Sequence, residues 1–174
     1  MSPRFTHMNK WIVIVLAVIV CSGCGNNQAP DVSGIKADAS IRRFDKDFFS
    51  ADTTHTMQSL DAVEKKYPWF FTDFIRNIVI GGATDTLHDL PVILNAYISH
   101  SRPLYDSALL KFRNLDGISG QLEKGFKYVK YYYPAYKLPI PVAYSGLIGD
   151  PSVALTKDAL AIGLQMYLGK NFSA

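Results

Sequence analysis

The sequence predicts an α+β fold, a helical amino-terminal part followed by a small antiparallel β ribbon. Two observations carry that expectation. Between residues 56 and 133, apolar side chains recur at helical spacing in successive stretches punctuated by Pro and Gly. After Pro134 the period changes, and Ile140, Val142 and Tyr144 alternate with Pro139 and Pro141. Helices first and strands last is an α+β order. The 174 residues, 48% hydrophobic and 19% charged, suit one globular domain with an appendage. They argue against disorder, collagen and coiled coil.

The amino terminus reads as an address. Residues 1–10 are polar, with Arg4, His7 and Lys10, and residues 11–20 are all apolar. As a helix, that run spans about 15 Å at ~1.5 Å per residue. A bilayer core needs about 30 Å. We expect the apolar region of an export signal, started at Met1 or Met8. Cys21-Ser22-Gly23-Cys24 follows. Small residues before a cysteine resemble a bacterial lipobox. That resemblance implies cleavage before Cys24 and a diacylglyceryl thioether on its sulfur, which would anchor the chain to a lipid bilayer. Cys21 stands where an aliphatic residue is usual, but a cut before Cys21 would place bulky Val20 at the cleavage site. The other reading is an ordinary signal peptide with a Cys21–Cys24 disulfide. A cut before Cys24 speaks against it, because one thiol then remains with nothing to pair with. Two cysteines alone cannot fill a four-ligand zinc site. The expected organisation is a lipoprotein signal peptide over 1–23, a lipidated tether over 24–40 and a domain over 41–174.

Residues 25–40 mix Gly, Asn, Gln, Pro, Asp, Ser and Ala without periodicity. Such a tether has an r.m.s. reach of about 20–25 Å. The domain opens with Ile41-Arg42-Arg43-Phe44-Asp45-Lys46-Asp47-Phe48-Phe49, a short strand that changes period. Thr56 or Asp61 opens a helix that Pro68 stops at Tyr67. Residues 69–80 place Phe70, Phe71, Phe74, Ile75 and Ile78 on one helical stripe, ended by Gly81-Gly82. Asp89 caps the next helix, with Pro91 in its first turn and Leu90, Leu94, Tyr97 and Ile98 inward. Ser101-Arg102-Pro103 repeats that opening for a further helix with Leu104, Tyr105, Ala108 and Phe112 inward. Asp116 opens a longer helix bearing Ile118, Leu122, Phe126, Val129 and Tyr133, closed by Pro134.

In the ribbon, Pro139 and Pro141 suit an edge strand that cannot donate on one side. Residues 153–155 and 159–164 read as two more short strands joined by Thr156-Lys157-Asp158. Leu160, Ile162, Leu164, Met166, Tyr167 and Leu168 form more apolar surface than the last six residues can cover. We therefore expect a truncated domain, part of which lies beyond this sequence.

Formal charge is +3, and without Arg4 and Lys10 the balance is 16 bases against 15 acids. That gives no clustered basic face for nucleic acid. Among the acids only Glu64 and Glu123 are glutamates. There is no His-Glu-x-x-His, no Gly-x-Ser-x-Gly elbow, and no phosphate loop or dinucleotide fingerprint. Asp85, His88 and Asp89 share a helical face, a weak metal constellation read more simply as a cap beside a solvated histidine. His55 and His100 read as loop residues. Asp45 and Asp47 would share a strand face, with Arg42 and Arg43 close enough to make ion pairing the expected role. Asp158 is expected to cap turn amides. Tyr128, Tyr131, Tyr132, Tyr133 and Tyr136 interleave with Lys124, Lys127, Lys130 and Lys137. A helix with one core face and snorkelling lysines is expected. A carbohydrate or nucleic-acid platform and an interfacial helix beside lipid are the alternatives. No catalytic residue, metal ligand, cofactor or small-molecule substrate is assigned.

Four stretches together resemble the gliding-motility lipoprotein B family (GldB) of Bacteroidetes. They are Ile41-Arg42-Arg43-Phe44-Asp45 with Phe48-Phe49, Tyr67-Pro68-Trp69-Phe70, Tyr132-Tyr133-Pro134, and the most specific, Asp158-Ala159-Leu160-Ala161-Ile162-Gly163-Leu164-Gln165-Met166-Tyr167-Leu168-Gly169-Lys170. The resemblance covers the mature chain and only the amino-terminal part of the family. It implies a cell-envelope lipoprotein beside a secretion and motility machine, with a fold distantly like zinc metallopeptidases. The helix pair that carries metal ligands in those enzymes would follow the ribbon. We expect a non-enzymatic, membrane-anchored gliding component facing the periplasm. Other gliding or secretion proteins would be its partners, met along a strand edge at Ile140, Val142, Tyr144, Ile162 and Leu164. The alternative is a fragment of an envelope zinc-peptidase-like protein lacking its metal helix.

Overall fold

The computed structural model describes residues 29–82, 89–170 and 172. The chain divides into two units, Met1–Gly34 and Ile35–Ala174. Of the first, residues 29–34 are described, and there the Asp31 carboxylate accepts the Ser33 N–H at 2.9 Å. The expected signal segment, Cys21 and Cys24 lie outside the described residues. The second unit begins at Ile35.

The expected short strand and change of period are present, and the change is into a helix. β1 (Arg42–Arg43) runs directly into α1 (Phe44–Phe49). Helical spacing brings Phe44 and Phe48 onto one face, and both are fully buried. α2 (Thr56–Lys66) ends at Tyr67, whose extended φ of −127° is what a following proline imposes. α3 (Phe71–Phe74) continues into a wider turn over Ile75–Val79, in which the Ile80 N–H reaches back five residues to the Ile75 carbonyl. Widening the turn shifts the side-chain phase. Phe70, Phe74 and Ile75 therefore stay buried while Phe71 and Ile78 are only half-buried. Gly81 and Gly82, both at positive φ, end the segment as expected.

The two helices expected over residues 89–112 are one. α4 (Leu90–Lys111) runs unbroken through Pro103. A mid-helix proline costs about 3 kcal/mol. Here Leu94, Tyr97, Ile98, Ser101, Leu104, Tyr105 and Ala108 form one buried stripe spanning both sides of it. Burial of a single face offsets the broken ladder, and the Ser101 hydroxyl adds a bond to the Tyr97 carbonyl just before the proline. α5 (Asp116–Tyr132) starts at the expected residue, with the Asn114 side chain accepting the Asp116 N–H at 2.6 Å.

β2 (Ile140–Tyr144), β3 (Val153–Leu155) and β4 (Ala159–Gly163) complete a four-stranded sheet of order β1-β2-β4-β3. The expected antiparallel ribbon is only partly realised. β3 and β4 form an antiparallel hairpin, Val153 opposite Ile162. β1, β2 and β4 run parallel, Arg42 opposite Val142 and Val142 opposite Ala161. The chain between β2 and β4 is long enough to return to the starting end, and β3 lies within that return. The sheet is therefore mixed. Parallel strands are covered on both faces, and Val142, Ala143 and Tyr144 are all fully buried. On one face Val142, Tyr144, Ala159 and Ala161 meet the aromatic side chains of α1, α3 and α4. On the other, Ala143 and Leu164 pack with Ala108 and Leu115, joined by Ile162, Phe112 and Leu168.

After Gly163 the strand turns into a tight helical turn over Leu164–Tyr167. Leu164 and Gln165 are buried while Met166 and Tyr167 are exposed. The end of α4 thus covers part of the apolar surface that the sequence left open. Lys111 Nζ ties the two segments, donating to the Tyr167 and Leu168 carbonyls at 2.8 and 2.7 Å.

Candidate interaction surfaces

The expected partner edge lies inside the sheet. β2 is flanked by β1 and β4, and β4 by β2 and β3. Val142 is paired on both sides, by Arg42 and Ala161, and Ile162 by Ala143 and Val153, whereas Ile140 and Tyr144 pair only with β4 and Leu164 sits in the turn beyond it. β2 is thus not the edge strand expected from Pro139 and Pro141, although one side of it does lack a donor. Ile140 N–H donates to the Asp158 carbonyl beside β4 at 2.8 Å, so by strand alternation Pro141 turns its missing donor toward β1. A neighbouring strand of only two residues is compatible with that.

β3 and the two-residue β1 are the outer strands of the sheet, and no described strand pairs with the far side of β3. Thr156 N–H donates to the Ala159 carbonyl and Gly163 N–H to the Ser152 carbonyl, both at 2.9 Å. Residues 152, 154 and 156 thus face β4. The amides and carbonyls of Val153 and Leu155 face away from it. Their side chains share the opposite face from Ala154 and are 51% and 64% exposed. Sequence reasoning identified this strand but not its position, because strand order depends on how the connections cross.

The tyrosine band is on the surface, against the expected core face. Tyr131, Tyr132, Tyr133 and Tyr136 are 47%, 60%, 68% and 47% exposed. Phe126 is the one buried residue among those described in α5, and no other described helix or strand packs extensively along this helix. Lys130 Nζ fixes the turn that follows, donating to the Pro134 and Tyr136 carbonyls at 3.1 and 2.7 Å. Lys127 pairs with Glu123 at 2.7 Å and Lys137 with Asp158 at 2.6 Å. The Lys137 ammonium holds the Asp158 carboxyl below the usual carboxylate range. Asp158 is therefore engaged by a lysine, and the Thr156 hydroxyl accepts the Ala159 N–H at 3.1 Å in the cap that was expected of the aspartate.

The aspartates of α1 act as ion-pair partners. Asp45, fully buried, receives two bonds from the Arg43 guanidinium, at 2.8 and 2.6 Å. Asp47 receives Lys66 at 2.7 Å and the Tyr67 hydroxyl. The two lie on a helix rather than on the expected strand, so they do not share one face. His55 and His100 are exposed, the first on Asp52 at 3.4 Å, the second on the Ala96 carbonyl at 2.7 Å. Asp85 and His88 lie outside the described residues. Among the described residues no group of three or more His, Cys, Asp or Glu side chains is placed to hold a metal ion. No described helix is long and apolar enough to cross a membrane.

A polar network, which no sequence signal announced, lies where the parallel strands end. Tyr97 donates to Asp150 Oδ2 at 2.9 Å, and Leu147 N–H to the same atom at 2.7 Å. Tyr144 donates to the Pro151 carbonyl. Ser145 Oγ and Gln165 Oε1 are buried without a hydrogen-bond partner among the described residues. Gly146 permits the close approach: a Cβ there would overlap both the Asp150 carboxylate and the Tyr97 hydroxyl. Gly146→Ala is expected to cost about 1–3 kcal/mol in denaturant unfolding.

Burial, and after it the Asp150 charge, pushes the Tyr97 and Tyr144 hydroxyls far above the ordinary 10.0. Burial and then the bond to Asp47 do the same for Tyr67. A phenol raised in the folded state leaves stability intact while unfolded tyrosines are also neutral. Above that point the unfolded chain ionises and the folded one does not. The unfolding free energy from denaturant titrations is therefore expected to fall above about pH 10, by about 1.4 kcal/mol per pH unit for each such tyrosine.

A cleft of about 660 Å³ lies between α2, the wide turn after α3 and the start of α4, floored by Leu60, Ile75 and Leu94 and rimmed by Asp61, Glu64 and Arg76. Gly82 and Leu90, on either side of the undescribed residues 83–88, both line it.

A family model described as gliding motility protein GldB matches residues 25–174. No curated protein and no solved structure matches the chain.

Proposed function

Because this chain belongs to the gliding motility protein GldB family, we propose that it is a lipid-anchored envelope component of the gliding machinery that works by contacting other proteins rather than by catalysis. The anchor is Cys24, at the end of the apolar leader. No acidic cluster follows that cysteine, and Asp31 is the first acid after it, so the domain is read as facing the periplasm. The partners are other gliding or secretion proteins.

The observation that carries the contact role is the open β3 edge, with two residues presenting backbone groups and apolar side chains outward together. An extended segment of a partner adds to such an edge by main-chain hydrogen bonds, with side-chain contacts supplying selectivity.

The test is complementation of a deletion strain, scored for colony spreading and fatty-acid labelling. Val153→Pro removes an outward N–H while leaving the β4 ladder whole. It is expected to keep the label and normal abundance yet weaken partner binding about tenfold and reduce spreading. Spreading equal to wild type would sink the strand-addition reading. Cys24→Ala is expected to lose both label and spreading, and persistent label would refute the anchor.

A further inference from the structure

We propose that the tyrosine–lysine end of α5 is a second membrane contact, which lays the domain on an anionic lipid surface. This goes beyond the partner edge and does not depend on it.

The first support is the exposed band itself. Tyr131, Tyr132, Tyr133 and Tyr136 project around one turn, with Tyr131 and Tyr132 edge to face at 5.0 Å. Tyrosine suits the headgroup level, where its ring meets acyl chains and its hydroxyl meets water. Lysines accompany it. Lys124, Lys127, Lys130 and Lys137 lie in or just after α5, where Asp116 and Glu123 are the acids of the helix. Glu123 and Asp158 each engage one of those lysines, which leaves Lys124 and Lys130 without a carboxylate partner among the described residues. Basic charge beside aromatic side chains at the exposed end of an amphipathic helix matches an interfacial element.

The second support is position. β1 and β2 are parallel, so the chain enters β1 at the same end of the sheet at which it enters β2. Asp38 and Ser40, on the way into β1, line one groove with residues 138–141 on the way into β2. Arg42, Lys66 and Trp69 line that groove as well. The tyrosine turn ends immediately before it. The stretch that connects the domain to Cys24 and the aromatic–basic band therefore reach the sheet at one end. Acyl chains alone leave orientation free, and a second contact at this end restricts it. β3 lies at the opposite lateral edge of the sheet from β1, available to partners.

The experiment uses the chain from Gly25 onward, which holds both hydrophobic clusters and every described helix and strand and bears no acyl group. Co-sedimentation with vesicles containing phosphatidylglycerol is compared with pure phosphatidylcholine, at low and high salt. Salt-sensitive binding to the anionic vesicles is expected. The Tyr131→Ser/Tyr132→Ser/Tyr133→Ser variant, with unchanged thermal unfolding, is expected to bind about tenfold more weakly. Lys124→Glu is expected to weaken binding further at low salt. Absence of vesicle binding by the folded chain overturns the proposal, as does equal binding by the tyrosine variant. So does a tyrosine-dependent preference for a polysaccharide or nucleic acid over vesicles. None of these outcomes bears on Val153→Pro, so the two readings fail separately.

Discussion

Arg43→Ala is expected to destabilise the domain by about 3–5 kcal/mol, the cost of leaving a buried charge without its partner. Asp45 is fully buried, and both its oxygens take their bonds from Arg43, at 2.8 and 2.6 Å. The same guanidinium donates to the Phe112 carbonyl at 2.8 Å, just past α4. One side chain thus ties β1, α1 and the end of α4. Its own pKa is raised, first by the bonds to Asp45. Arg43→Lys offers a point charge in place of a planar fork and cannot serve all three acceptors. It is expected to lose about 1–3 kcal/mol. Arg43→Met/Asp45→Leu removes both charges and is expected to recover most of the loss. Denaturant midpoints of the four chains decide the matter: a double variant as unstable as Arg43→Ala would show that the buried carboxylate is not the cause.

Phe44→Ala should have a comparable effect, about 3–5 kcal/mol, by a different route. Phe44 is fully buried and its ring meets Phe48, Tyr67, Phe70 and Phe74 at centroid distances of 5.5, 5.3, 5.0 and 4.8 Å. Those rings come from α1, the end of α2, the approach to α3 and α3 itself. Rigid aromatics locked in several directions cannot collapse into the space that truncation leaves. A melting temperature lower by roughly 10 °C or more is expected. Phe44→Leu, which keeps most of the volume, is expected to lose much less. If alanine and leucine were equivalent, the cavity account would fail.

These two neighbours also show how far the sequence could be read. The residues Ile41-Arg42-Arg43-Phe44-Asp45 signalled a short strand that changes period and an ion pair for Asp45, and both are present, but the helix that begins at Phe44 was not signalled. Which arginine pairs was open until the chain turned helical at Phe44. The helix stops at Pro68 and Gly81-Gly82 were legible because they are local chemistry: a steric clash and a positive φ. Pro103 misled for the same reason. The rule it obeys is local, whereas the stripe from Leu94 to Ala108 that overrides it is stabilised by the rest of the domain. The tyrosine band misled in the opposite direction, since helical spacing identifies an amphipathic face and does not say whether anything packs on it.

Sequence alone determined the element types, most of their limits, the lack of a recognisable catalytic motif, and a family resemblance that the family match over residues 25–174 bears out. Tertiary structure decided the parallel pairing of β2 with β4, the burial of both, and the free edge at β3. The division has one physical cause. Periodicity, caps and turns are set by neighbours along the chain, whereas strand order and the exposure of a face are set by contacts between residues far apart in it.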